Sequence, residues 1–450
     1  MDLRNQHPEC CTTSFGFSFN KINPDLSTPS LNPNRFHRTS EISVKELIVR
    51  RGQAFKLTLR LAPPFRPAFD QLTMTVVTGR PFIPSFISEL QRSSSPETGV
   101  LVLAITPPAA CPVGEYKMSA KLGEEERDLA TLSVLFNPWC PGRFLDWVFL
   151  PDEAERQEYV MNEHGIIYKG VDKYIDPTHW DFGQFEEDMV KICMKILDYN
   201  VKHKQDPADD VSARCNPIYV SRVVTCMINS ENGGGILKGQ WGMDFRGGVP
   251  PTHWSGSYAI LKKWSNSVFS SVKYGQCWVY AAVMCSAKDI YRKIRCIWAR
   301  ICNCDQSIRE KIKNTCYFTH AGMFCCGPAP VSAIRNGDTH LKYDIPFVFA
   351  EVNADCITWL VKRDGSMVNI ETDSIKIGQN ISTKSVGTNN RMNITDSYKQ
   401  KEGFYSFPSP RVNREMTAEV LFQNPVKEIL RDCSLTLTGS GLFNGELITR

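Results

Sequence analysis

Between Ser43 and Asn137 the chain alternates apolar and polar residues in short runs broken by turns. Phe55-Lys56-Leu57-Thr58-Leu59-Arg60-Leu61 places an apolar side chain at every second position. The same period recurs in Leu72–Val77, Val100–Ile105 and Leu129–Leu135. Period two, β-branched residues and regularly spaced turns predict an all-β sandwich over 41–140. Residues 1–40 are rich in Pro, Ser and Asn and show no period. They predict a disordered arm.

Beyond 141 the pattern is mixed. Phe185 to Leu197 carries Met189, Ile192, Met194 and Ile196, which suits a core-facing helix. Ser257–Trp264 predicts a second helix, and the apolar run Trp278–Cys285 a third, buried one. Strand-like runs return at Pro346–Val352 and Cys356–Val361. Asn232-Gly233-Gly234-Gly235 lacks the Gly-Lys-Ser/Thr ending of a phosphate loop and is expected to be a turn. The longest apolar run is far too short to span a bilayer.

Candidate chemistry centres on Tyr274-Gly275-Gln276-Cys277-Trp278. A Gly-Gln turn delivers Cys277 to the first turn of the apolar helix. There it meets the positive end of the helix dipole, which favours thiolate. A buried structural cysteine is the ordinary alternative.

Tyr-Gly-Gln-Cys-Trp-Val resembles the active-site signature of the animal transglutaminases, nearest the epidermal type. Further blocks resemble the family in order: Phe136–Cys140, Glu158–Asn162, Trp180–Glu186, Ile218–Val224, Trp254–Ser257, Phe324–Pro328, Pro346–Asp355 and Ile381–Gly387. The resemblance implies a multidomain α+β protein. An N-terminal immunoglobulin-like β-sandwich (41–140) would precede a papain-like α/β core (141–403), and a remnant of a C-terminal β-barrel or sandwich would occupy 409–450. It implies calcium-dependent transfer of a protein glutamine acyl group through a Cys thioester to a lysine amine, cross-linking proteins. Cys277 would be the nucleophile. Trp241, in Gly239-Gln240-Trp241-Gly242, would bind the oxyanion through its indole N–H, a donor-only group. Asn353, Asp355 and Glu402 match family calcium ligands, and oxygen ligands suit that hard cation. A second family site keeps Asn229 but has Gly233 where a carboxylate belongs, so calcium binding is expected to be weak.

Two family motifs are absent: Trp-Asn-Phe-His, which holds the catalytic His, and Asp-Ala-Thr-Pro-Gln-Glu. The stretch where they belong, 286–321, does not align with the family and is expected to be an insert of foreign origin. Its C-x5-C-x-C-x11-C-x3-H spacing, from Cys296 to His320, fits no common zinc site. Only His320 and His340 follow Cys277. The pattern reads as an internally deleted and C-terminally truncated member. Its alternatives are a non-catalytic protein-binding scaffold or an inactive splice or gene-model product.

Net charge is +4, with 52 basic and 48 acidic residues, and gives no basic stripe for nucleic acid. Seventeen cysteines without an even framework, and no leader of signal-peptide type, predict reduced thiols in the cytoplasm.

Overall fold

The computed structural model describes residues 11–13, 17–18, 21–22, 33–43, 46–61, 65–78, 86–123, 125–141, 148–171, 173–230, 234–291, 330–341 and 345–399. The insert beyond Tyr291, the Phe324–Pro328 block, Glu402 and the 409–450 segment lie outside the described residues.

The N-terminal strands are β1 (Cys11–Thr13), β2 (Phe17–Ser18), β3 (Lys21–Ile22), β4 (Leu47–Arg50), β5 (Phe55–Arg60), β6 (Leu72–Thr78), β7 (Ile87–Leu90), β8 (Val100–Thr106), β9 (Gly114–Leu122) and β10 (Glu125–Leu135). They form two sheets, β4-β10-β9-β6 and β3-β2-β5-β8-β7, with β1 also on β5. Phe55 pairs with Ile105 and Leu57 with Leu103. These face Val49, Tyr116, Met118, Ala120 and Val134 in one buried cluster. The period of two becomes a face because successive strand side chains point to opposite sides. Each buried Leu, Val or Phe contributes roughly 1.5–3 kcal/mol.

The expected disordered arm is corrected: β1–β3 fall within it and pair into the first sheet, and its end is packed. Asn34, His37 and Thr39 are buried. Asn34 donates to the Ser43 carbonyl at 2.9 Å and accepts from Ile48 N–H at 3.0 Å. His37 Nδ1 accepts from Arg50 N–H at 2.9 Å. Polar side chains here satisfy strand backbone groups, a role that a composition reading takes for solvation. Burial, then the Arg50 charge, lower the His37 pKa to about 3, so its ring stays neutral.

The second half pairs β11 (His164–Val171) with β12 (Tyr174–Asp181) and then packs helices. These are α3 (Met189–Asp198), α4 (Val201–Gln205), α5 (Pro207–Ala213), α6 (Pro217–Ile228), α7 (Ser257–Asn266) and α8 (Cys277–Tyr291); before them come α1 (Pro33–Phe36) and α2 (Glu153–Arg156). Met189, Ile192 and Ile196 of α3 meet Val223 and Met227 of α6, Ile260 and Trp264 of α7, and Val279 and Val283 of α8. That cluster also takes in Ile48, Val113, Leu135 and Phe136 of the sandwich. Arg51 reinforces the join by donating to the carbonyl of Cys215 at 2.8 Å. The helix expected from Phe185 starts only at Met189, because Asp188 sits at φ 67°, which a helix does not admit.

The 345–353 segment is a second correction. Its apolar run was expected to be a strand but forms helix α10 (Ile345–Asn353), after α9 (Val331–Asn336). A short apolar run carries no period that separates helix from strand. Strands β15 (Cys356–Val361) and β16 (Met367–Asp373) form a hairpin, as do β17 (Ser382–Lys384) and β18 (Arg391–Asn393). Lys384, itself mostly buried, pairs with Glu158 at 2.5 Å and ties the 382–388 turn to residues 157–161. Among the described residues no helix is long and apolar enough to cross a membrane.

Candidate active site

Two short parallel strands deliver the candidate residues. In β13 (Leu237–Gly239) and β14 (Val272–Gly275), Leu237 pairs with Val272 and, after a bulge, Gly239 with Gly275. Trp241 and Cys277 therefore each lie two residues beyond the same glycine pair. Gln240 N–H continues the ladder by donating to the Gly275 carbonyl at 3.2 Å. The chain then enters α8, whose first residue is Cys277. The first N–H groups of a helix have no acceptor within it, so a thiolate here faces donors and the positive dipole end.

Cys277 is half-buried and is not part of a disulfide. Trp241 is 45 % exposed. Its indole folds back over Gly239: a Cβ built there would lie 2.4 Å from the ring. Only glycine leaves that space. Trp278 packs on the helical core, with Lys169 Nζ 4.9 Å above its ring. Behind the turn, Trp254 Nε1 donates to the Tyr274 carbonyl at 2.8 Å. Tyr280 also reaches the β13 backbone, and Gln276 the carbonyl of Gln240 just beyond it. Sequence reading names Gln276 only as part of the turn and Trp254 only as part of a family block, and gives Lys169 and Tyr280 no role. Each acts on a residue distant in sequence, which local pattern does not reveal.

Among the described imidazoles, two serve structural bonds. His37 is sealed in the core and His203 is bonded to Asp210 at 2.8 Å. His164, His179, His253 and His340 are exposed, and His320 lies outside the described residues.

The calcium candidates are less complete. Asn353 ends α10 and is half-buried; Asp355 is exposed. Nearby, Lys399 Nζ donates to the carbonyls of Ile377 at 2.5 Å and Ser374 at 3.4 Å. Burial lowers the Lys399 pKa, against the charges of Asp355 and Asp373. Calcium takes six to eight oxygens. Two of the three candidates lie among the described residues, beside the Lys399 ammonium. Among the described residues no group of three or more His, Cys, Asp or Glu could hold a metal ion.

A profile described as the transglutaminase family matches residues 27–123. Protein-glutamine gamma-glutamyltransferase 6 of Homo sapiens is 39% identical over 433 residues, covering 82% of this chain and 60% of that protein. Protein-glutamine gamma-glutamyltransferase Z of Homo sapiens is 36% identical over 82% of this chain and 61% of its own length. The chain belongs to the transglutaminase family. The crystal structure of red sea bream transglutaminase superposes with a TM-score of 0.69 at 32% identity, over 82% of this chain and 64% of that one. This agrees with the multidomain α+β architecture. The chain spans about 60% of the length of the curated relatives it matches, so the activity of a whole transglutaminase comes to it only as a proposal.

Proposed function

We propose that this transglutaminase family member keeps at Cys277 a site for acyl-thioester formation from a protein glutamine and transfer to an amine such as lysine, turning over slowly because its sequence lacks the family His and Asp motifs. In the first step the Cys277 sulfur bonds to the side-chain carbonyl carbon. The C–N bond breaks, and the thiol proton leaves with ammonia. In the second, the amine nitrogen bonds to that carbon, the C–S bond breaks, and the amine proton returns to sulfur. Trp241 would donate its indole N–H to the oxyanion of each tetrahedral intermediate, joined by the Cys277 backbone N–H. The observation that carries this reading is the paired placement of Cys277 and Trp241 beyond Gly239 and Gly275. A reducing, cytoplasmic setting belongs to the same reading, since the sulfur must stay a thiol.

The test is acylation by p-nitrophenyl acetate, whose good leaving group needs no proton. A burst of one nitrophenolate per chain, abolished by Cys277→Ala, is expected. No burst, or a burst that survives the substitution, would refute the reading. Gly239→Ala pushes a methyl into the indole's place. It is expected to slow acylation by about 10- to 100-fold, an oxyanion-donor-sized loss, with little change in melting temperature.

Calcium at Asn353, Asp355 and Glu402 is proposed to be weak, no tighter than about millimolar. One millimolar calcium then adds at most about 0.4 kcal/mol. Thermal melts with calcium and with EDTA should differ by no more than about 1–2 °C. A rise of several degrees would show a built site.

A further inference from the structure

Two side chains of the Cys277 segment reach back to the strand that leads to Trp241. Gln276 Nε2 donates to the Gln240 carbonyl at 2.8 Å. Tyr280 Oη donates to the Leu237 carbonyl at 3.0 Å. Tyr280 stands in the first turn of α8, and its own N–H bonds to the Gln276 carbonyl at 3.0 Å. Its hydroxyl would lie 3.1 Å from a Cβ at Gly239, the same glycine that the Trp241 ring covers. Strand 237–240 is thus gripped at both ends by groups fixed to the thiol's helix.

Neither group is needed for the bond-making steps. Trp241 is nearly half exposed, so burial alone does not fix its indole. Its ring rests over Gly239 of the segment these groups hold. An oxyanion donor acts only when held within about 0.5 Å of its productive position.

We propose that Gln276 and Tyr280 are positioning residues that set the Trp241 indole against the Cys277 thiol. This rests on the acyl-transfer reading above. The grip couples the two halves of the site: the residue before the nucleophile holds the residue before the oxyanion donor.

The test compares two reactions of Cys277 in the full chain. Acylation by p-nitrophenyl acetate passes through an oxyanion. Alkylation by iodoacetamide does not. Gln276→Leu and Tyr280→Phe are each expected to slow acylation about 10-fold, a partial loss of one oxyanion donor. Alkylation should stay within about threefold, since the helix N-terminus that favours thiolate is intact. In a Trp241→Phe background, Gln276→Leu should cost less than about twofold, because residues acting as a unit are not additive. Unchanged acylation in both variants would overturn the proposal. So would equal losses in both reactions, or a full Gln276→Leu effect without Trp241. A wild-type chain that alkylates but does not acylate would instead refute the acyl-transfer reading on which the proposal stands. Tyr280→Phe removes one oxygen and keeps the ring, which guards against a variant that merely misfolds.

Discussion

Purified chain mixed with casein, calcium and a labelled amine should incorporate label at least about 10⁴-fold more slowly than full-length family members. The size follows from the loss of one member of a nucleophile–base unit. The sequence has neither the Trp-Asn-Phe-His nor the Asp-Ala-Thr-Pro-Gln-Glu motif. A carboxamide must leave as ammonia, so its expulsion needs a proton delivered at the right moment. A nitrophenyl ester makes no such demand. The chain is therefore expected to acylate on Cys277 with an activated ester and to stall with glutamine. Incorporation near the rate of the relatives would show a surrogate base. His320→Ala is the first variant to examine in that case.

The second large effect lies away from the thiol. Asp210 is fully buried between α3, α5 and α6. Arg214 donates to it at 2.6 Å, Tyr219 at 2.5 Å and Asn200 at 3.1 Å, and His203 lies at 2.8 Å. Arg214 also reaches Asp198 at 2.7 Å and the Leu197 carbonyl at 3.0 Å. Asp210→Ala leaves the Arg214 guanidinium buried with one of its two carboxylate partners gone. Breaking a buried pair from one side costs about 3–5 kcal/mol, to be read from urea denaturation. Asp210→Leu with Arg214→Met should recover part of it, since neither charge is then stranded. A loss below about 1 kcal/mol for Asp210→Ala would contradict the assignment.

The same network fixes a pH dependence. Burial raises the Asp210 pKa, but the Arg214 charge and the hydrogen bonds from Tyr219, Asn200 and Arg214 outweigh it and leave it below 3.8. A carboxylate with a depressed folded pKa binds fewer protons than in the unfolded chain. Its contribution is complete above the unfolded value and is lost as pH falls through the folded one. Acid stability should therefore decline below about pH 4, and Asp210→Asn should flatten that part of the curve.

Much of the fold was legible from local pattern. Phe55–Leu61 alternates because β5 buries mainly one face, so its period reports the sandwich directly; in Leu129–Leu135 the register shifts at Leu129 and both faces of 132–135 are buried. The helix after Gln276 was legible because an apolar run followed a turn. Ile345–Asn353 was not: its apolar run suits a strand as well as a helix, and Ile345, Val348, Phe349 and Val352 pack on one cluster as a helical face. The arm was misread at Asn34 and His37, whose polar side chains serve the strand from Ile48 to Arg50. At the candidate site, Cys277 and Trp241 could be named from motif alone. Their common distance from the Gly239–Gly275 pair could not, since it joins residues 36 positions apart in sequence.

Mapping the acyl group by peptide mass spectrometry, after a short exposure to one equivalent of p-nitrophenyl acetate at neutral pH, tests the central claim most directly. The chain carries seventeen cysteines, so the label has many places to go. A site built as described should place it on the Cys277 peptide well ahead of every other thiol, and Trp241→Ala should erase that preference while leaving Cys277 open to iodoacetamide. Label spread over exposed cysteines, or a Cys277 preference untouched by Trp241→Ala, would contradict it.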